Sequence, residues 1–99
     1  MDKVEFHSEG NGLFKVRGRM NFESCPAALD DSMHLFADLP RVELDFSDVT
    51  QVDSAGLALL VEWAGWARRR HRDLEFRRVP LQALALARIS DVESMLPVR

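Results

Sequence analysis

The chain has 99 residues, 46% of them hydrophobic and 29% charged, and its 13 Lys and Arg against 16 Asp and Glu give a formal net charge of −3. This length and composition predict a single domain over residues 1–99 with one hydrophobic core. The acidic balance disfavours nucleic acid as a partner. No apolar run approaches the roughly 20 residues that cross a bilayer, so direct membrane insertion is not expected. The N-terminus MDKVEFHSEG has no apolar leader, which favours a cytoplasmic location.

Metal and cofactor sites are not expected. Cys25 is the single cysteine, so the chain can form no internal disulfide, and its three histidines are scattered without metal-ligand spacing. We interpret Cys25 as a small apolar filler near the start of a helix.

The first half of the chain predicts a hairpin, a helix and a central strand. Residues 4–9 and 13–17 alternate apolar and polar side chains around a Gly-Asn-Gly turn, which is typical of two antiparallel strands. Ser24 is expected to cap a helix that has Pro26 in its first turn and runs to about Ala37. Residues 41–46 then form the best candidate for a central strand.

The second half predicts two further helices separated by a strand. A long helix capped by Ser54 is expected to reach about His71, and residues 73–79 form the next strand. Another helix begins after Pro80, and Ser90 or Asp91 caps a short terminal turn. The order ββαβαβα predicts an α/β domain with an open mixed β-sheet and helices packed mainly on it.

The most informative stretch is the junction of the central strand with the long helix. In residues 42–60, VELDFSDVTQVDSAGLALL, an apolar strand passes through a short polar turn to a helix start at Asp53 and Ser54. The first N–H groups of a helix lack intrahelical partners, so such a junction can hold an anion or dock a partner. We expect no catalytic residues, because the single hydroxyl has no visible base beside it and GxSxG is absent.

Asp53 or Ser54 can accept hydrogen bonds from the first helical turn, and Gly56 leaves room for another chain. The alternative interpretation is that Ser54 is only a helix cap and Gly56 only a packing gap.

Residues 55–70 form two apolar stripes when they are placed on a helix. One stripe should lie on the sheet, and it contains Leu57, Leu60, Val61, Ala64 and Ala67. The other contains Leu59, Trp63 and Trp66 and must meet a neighbouring helix or a partner protein. We expect at least one of the two tryptophans to be substantially exposed and to contribute to docking.

A basic run, Arg68, Arg69, Arg70, His71 and Arg72, closes the long helix. The helix dipole favours cations there, so a solvated helix end is the simplest interpretation. A contact with an acidic surface or with anionic lipid headgroups is the alternative.

The strand LDF, the turn SDVTQ and the helix opening VDSAGLALL resemble the signature of STAS domains, the sulfate-transporter and anti-sigma-factor-antagonist modules. The closing ALARISDVESMLPVR resembles the MlaB branch of that family. The resemblance implies the STAS fold over nearly the whole chain. It also implies a non-enzymatic subunit that binds the cytoplasmic ATPase (MlaF-like) of a Gram-negative ABC phospholipid transporter, which maintains outer-membrane lipid asymmetry. Such a subunit is cytoplasmic and peripheral to the inner membrane.

For the binding surface, the resemblance places Ser54 in the partner interface. We therefore expect partner contacts from the start of the long helix, which we call the tip (Asp53, Ser54, Ala55 and Gly56), and from the second stripe (Leu59, Trp63 and Trp66). In sporulation anti-sigma antagonists the phosphorylated hydroxyl is the second residue after the Asp, where this chain has Ala55. That departure favours the transporter branch. The alternatives are an anti-sigma-factor antagonist bound by an anti-sigma kinase, with Ser54 as a possible phosphorylation site, and a ligand-binding STAS module.

Overall fold

A computed structural model describes residues 2–99 and contains one mixed sheet of four strands. The strands lie side by side in chain order, with the first pair antiparallel and the other two pairs parallel. They are β1 (Glu5–Ser8), β2 (Leu13–Met20), β3 (Arg41–Val52) and β4 (Asp73–Arg77).

Each parallel pair of strands is connected through a helix. Helix α1 (Cys25–Phe36) joins β2 to β3, and α2 (Ser54–Arg70) joins β3 to β4. Helix α3 (Leu81–Ile89) and a short 3-10 turn (Glu93–Met95) follow β4. The order ββαβαβα with a terminal turn confirms the predicted α/β fold with its open mixed sheet.

The two central strands are longer than predicted. β2 continues to Met20, and β3 continues to Val52, so the SDVTQ segment is strand and the predicted turn is wrong. This second half of β3 pairs with the second half of β2 across two register shifts. Gly18 lies opposite Val49 and adopts a φ of 112°, a backbone conformation that favours glycine. The pairing carries β3 directly to the start of α2.

Two local predictions are also wrong. Ser24 stands at the start of α1, but its hydroxyl donates to the Arg19 carbonyl at 2.6 Å and accepts from the Asn21 N–H at 3.0 Å. It therefore ties the preceding loop together and makes no cap bond to the helix. β4 ends at Arg77 and not at residue 79, because Arg78 adopts a φ of 54° that interrupts the strand.

Trp63 lies at the centre of the core, between the helices and the sheet. Its side chain is 0% exposed, and its ring centroid lies 6.0–6.4 Å from the centroids of Phe6, Phe36, Phe46 and Phe76. Trp66 is 7% exposed and packs 5.8 Å from Phe36. The expectation of an exposed tryptophan is therefore wrong. The wide apolar arc of α2 is covered inside the domain, because α2 contacts α1, α3 and the sheet.

The opposite face of the sheet carries a network of alternating charges. Arg77 lies 3.5 Å from Glu43 and 3.8 Å from Glu75, and Arg78 lies 2.9 Å from Asp45. Opposite charges on neighbouring strands stabilise the pairing modestly. The apolar side chains of the strands accordingly lie on the other face of the sheet, which the helices cover.

Asp45 is the most buried member of this network. Desolvation acts to raise the pKa of its carboxyl group, but hydrogen bonds from Ser47 and the charges of Arg78 and Lys15 outweigh it and lower the pKa. The carboxylate therefore contributes stability above its ordinary pKa, and that contribution is lost as pH falls through the lowered value.

The C-terminal residues run beside the outer edge of β4. The Phe76 N–H donates to the Pro97 carbonyl, and the Arg99 N–H donates to the Phe76 carbonyl, both at 2.9 Å. Val98 forms a parallel bridge with Phe76. Both backbone groups of Phe76 on this edge of the sheet are thus satisfied within the chain.

Replacing Ser32 by Ala tests the polar link between α1 and α2. The Trp63 Nε1–H donates to the fully buried Ser32 Oγ at 2.8 Å. Ser32→Ala leaves that N–H unpaired, so the free energy of unfolding should fall by about 1–3 kcal/mol in chemical denaturation. In a Trp63→Phe background, which has no N–H at this place, the same substitution should cost clearly less. An equal cost in both backgrounds would refute the link.

Candidate functional site

Asp53 caps the long helix α2. Its Oδ1 accepts hydrogen bonds from the N–H groups of Ala55 at 2.9 Å and Gly56 at 3.1 Å. Ser54, predicted as the cap, is instead the first helical residue. The carboxylate one position earlier already satisfies the donors that a Ser cap would take. Ser54 is exposed, and its hydroxyl has no hydrogen-bond partner among residues 2–99.

Gly56 faces its own sheet and not the outside. A Cβ atom at this position would lie 2.7 Å from both the Met20 carbonyl oxygen and Val52 Cγ1. The Asp53 N–H also donates to the Met20 carbonyl at 3.2 Å. Gly56 therefore allows the first turn of α2 to lie directly against the ends of β2 and β3. The packing-gap interpretation describes this residue, and the expected room for another chain at Gly56 is wrong.

The exposed side of α2 forms a narrow ridge. Ser54, Ala58 and Glu62 are exposed and four residues apart, so they lie in one line along the helix. We call these three residues the α2 ridge. A groove runs along each side of it.

The α1–α2 groove has a volume of about 410 Å³ and lies beside the first two turns of α2. Leu59, nearly buried, forms part of its lining together with Leu29 and Ala55, and Phe22 stands at its rim with 79% of its surface exposed. Cys25 also lines the groove, and burial raises the pKa of its thiol, which keeps it neutral. This groove offers an apolar surface with a prominent aromatic side chain.

On the other side of the ridge, α2 and the segment after α3 (Ser90 and Val92) border a groove of about 430 Å³, which we call the α2–α3 groove. Leu57, Val61 and Val92 supply apolar lining, and Arg68 and Arg69 lie at the end remote from Ser54. Val61 was expected on the sheet, but the sheet-facing position is taken by Trp63, so Val61 lies in this groove instead.

The predicted binding residues thus divide into two groups. Asp53, Ser54 and Ala55 lie together at the tip, with Leu59 in the adjoining groove. Trp63 and Trp66 are buried in the core and offer no docking surface. Sequence reasoning missed Phe22, although a large aromatic residue in the polar segment NFES was a usable signal.

The basic run at the end of α2 has mixed roles. Arg72 donates to the carbonyls of Leu39 at 2.7 Å and Ala37 at 3.3 Å, which ties the end of α2 to the segment after α1. His71 adopts a left-handed φ of 55° and closes the helix. Arg70 is exposed. The run is therefore partly structural and partly a solvated helix end.

Within residues 2–99, no group of three or more His, Cys, Asp or Glu side chains is placed to hold a metal ion. In the same part of the chain, no helix has the length and apolar character that a membrane span requires.

Comparison with known proteins identifies both a family and a fold. Residues 6–97 match the family model described as "Mlab, STAS domain". The anti-sigma factor antagonist SpoIIAA in its unphosphorylated form superposes with a TM-score of 0.72 at 8% identity, over 97% of this chain and 87% of that one. An anti-sigma factor antagonist from Mycobacterium paratuberculosis gives a TM-score of 0.74 at 16% identity, over 99% and 85%. At these identities the likeness shows the fold alone. No curated protein sequence matches significantly.

Two glycine substitutions in α2 should have opposite effects on stability. Gly56→Ala forces a methyl group against the Met20 carbonyl, so we expect the free energy of unfolding to fall by about 1–3 kcal/mol. Gly65→Ala meets only the movable ends of the Arg69 and Arg68 side chains, the nearest atom at 2.9 Å, and should raise stability by up to about 1 kcal/mol through helix propensity. Thermal and chemical denaturation of both variants measures the difference. Equal effects would contradict the tight contact assigned to Gly56.

Proposed function

The chain belongs to the STAS-domain family, and from that membership we propose that it is a non-enzymatic adaptor subunit for the cytoplasmic ATPase of an ABC phospholipid transporter. In this role it supports assembly and activity of a complex that maintains outer-membrane lipid asymmetry. It is cytoplasmic and peripheral to the inner membrane through its partner.

The observation that carries the proposal is the exposed tip at Ser54. A capped and rigid helix start presents a small side chain between two apolar grooves, with Phe22 projecting beside it. Exposed aromatic and apolar side chains around a small polar centre are typical of protein-docking surfaces. A nucleophilic serine needs a hydrogen-bonded base, and within residues 2–99 the Ser54 hydroxyl has none, which favours binding over catalysis.

Two further observations favour the transporter branch. The matching family model carries the MlaB description. Ala55 occupies the position of the phosphorylated hydroxyl residue in sporulation antagonists. Its N–H already donates to the Asp53 carboxylate.

Ser54→Arg should abolish partner binding without unfolding the domain. A long charged side chain at the centre of the tip would keep the two surfaces apart, whereas the exposed position tolerates it in the free protein. We expect affinity for a co-expressed ABC ATPase subunit of the same organism to fall at least about 100-fold, measured by calorimetry after co-purification.

Ser8→Arg is the matched control, because Ser8 is also exposed but lies in β1, outside both grooves. It should leave affinity unchanged. Unchanged binding by Ser54→Arg would remove the tip from the interface, and failure of the unmodified domain to bind the ATPase would refute the proposed function.

A second candidate function is that of an anti-sigma-factor antagonist that binds an anti-sigma kinase. The structural likeness to two such antagonists favours it. Ser54 is also exposed at a helix N-terminus, where the added charge of a phosphate, roughly −1.5 to −2, is electrostatically accommodated.

Intact-mass measurement after incubation with ATP and a purified anti-sigma kinase separates the two functions. The adaptor function predicts an unmodified chain. Addition of one phosphate that Ser54→Ala prevents and Ser90→Ala does not would instead support the antagonist, with Ser54 as its modified residue.

A further inference from the structure

The α2–α3 groove extends the tip into a long binding surface. From Ser54 to Arg68 it follows α2 for about four helical turns, or about 21 Å. Leu57, Ala58 and Val61 supply its apolar side on α2, and Val92 closes it from the segment after α3. These dimensions match one amphipathic helix of about 14 residues lying against the groove.

The far end of the groove carries two guanidinium groups that lie close together over Gly65. From the position a Cβ atom would take on Gly65, Arg69 Nη1 is 2.9 Å away and Arg68 Nη2 is 3.9 Å away. Gly65 is buried beneath them although it lies on the groove side of α2. A glycine at this position thus allows both side chains to fold back along the helix.

The charges at this end are not balanced by the side chains that the structure describes. Glu62 approaches Arg69 at 3.4 Å, whereas Arg68 has no ion-pair partner among residues 2–99. Two guanidinium groups facing one carboxylate leave a local excess of one positive charge. Guanidinium groups bind carboxylates in well-defined, often bidentate geometry, so this end is suited to one further carboxylate.

We propose that the α2–α3 groove binds an amphipathic helix of the partner ATPase, whose apolar side chains pack on Ala58 and Val61 and whose Asp or Glu pairs with Arg68. The inference rests on the proposed function and names the contact through which it operates. Glu62 in the groove and the chain's net charge of −3 disfavour a lipid headgroup with several negative charges. A single carboxylate, by contrast, neutralises the local excess of one positive charge.

Charge reversal at Arg68 tests the proposal. Calorimetric titration of the Arg68→Glu domain with the purified ABC ATPase subunit, repeated at low and high salt, should show affinity at least about tenfold weaker. The difference from the unmodified domain should shrink as salt rises, because screening weakens the lost attraction. Arg70→Glu is the matched control, since Arg70 is exposed at the same helix end but does not line the groove. It should change affinity by less than about twofold.

Reversing the partner charge gives the decisive result. An Asp→Arg or Glu→Arg change in a helix of the ATPase should restore binding to Arg68→Glu while weakening binding to the unmodified domain.

The contrary outcomes are distinct. If Ser54→Arg abolishes ATPase binding but Arg68→Glu does not weaken it, the groove assignment is overturned and the proposed function stands. If the unmodified domain does not bind the ATPase, both are overturned. A third outcome is that Arg68→Glu leaves ATPase binding intact but abolishes a dimer of the domain detected by light scattering, or abolishes co-flotation of the domain with phosphatidylglycerol vesicles. The groove would then belong to a second copy or to a lipid surface, and the proposal would be wrong.

Discussion

The position of α2 depends on Trp63. Its indole ring packs among aromatic side chains of β1, α1, β3 and β4, and its N–H reaches Ser32 of α1, so one residue joins both crossover helices to the sheet. Aromatic packing of this kind contributes beyond the buried area, and the satisfied N–H removes the cost of burying a polar atom. With the middle of α2 fixed in this way, its first turn lies against the end of β3, where Gly56 and Asp53 complete the junction.

The two faces of the sheet have different roles in the domain. One face is covered by helices and supplies the core, while the other carries ion pairs, such as those of Glu43 with Arg77 and of Asp45 with Arg78. The apolar grooves lie instead at the α1–α2 and α2–α3 boundaries, beside Ser54. The proposed adaptor role uses that boundary because it combines a rigid helix start with apolar surface that the domain does not cover.

The sequence was sufficient for element order, because turn chemistry and apolar periodicity are local. The Gly-Asn-Gly hairpin and the helix beginning at residue 54 illustrate this. The predictions that were wrong concern segments whose structure depends on contacts distant in sequence. The SDVTQ segment is strand because β2 pairs with it, and Trp63 is buried because α1 supplies Ser32 and Phe36. The Ser54 tip was predictable from its motif, whereas the grooves arise from chain segments distant in sequence.

The C-terminal residues beside β4 also bear on how the domain can associate. An open sheet edge can recruit a strand from another molecule, and this route leads to domain exchange or fibre growth. Here the Pro97 and Phe76 carbonyls already accept hydrogen bonds along that edge, and Pro97 has no N–H to offer a newcomer. At the other side, β1 is only four residues long. Sheet extension is thereby discouraged at both edges, whereas the two grooves beside α2 stay open to a partner.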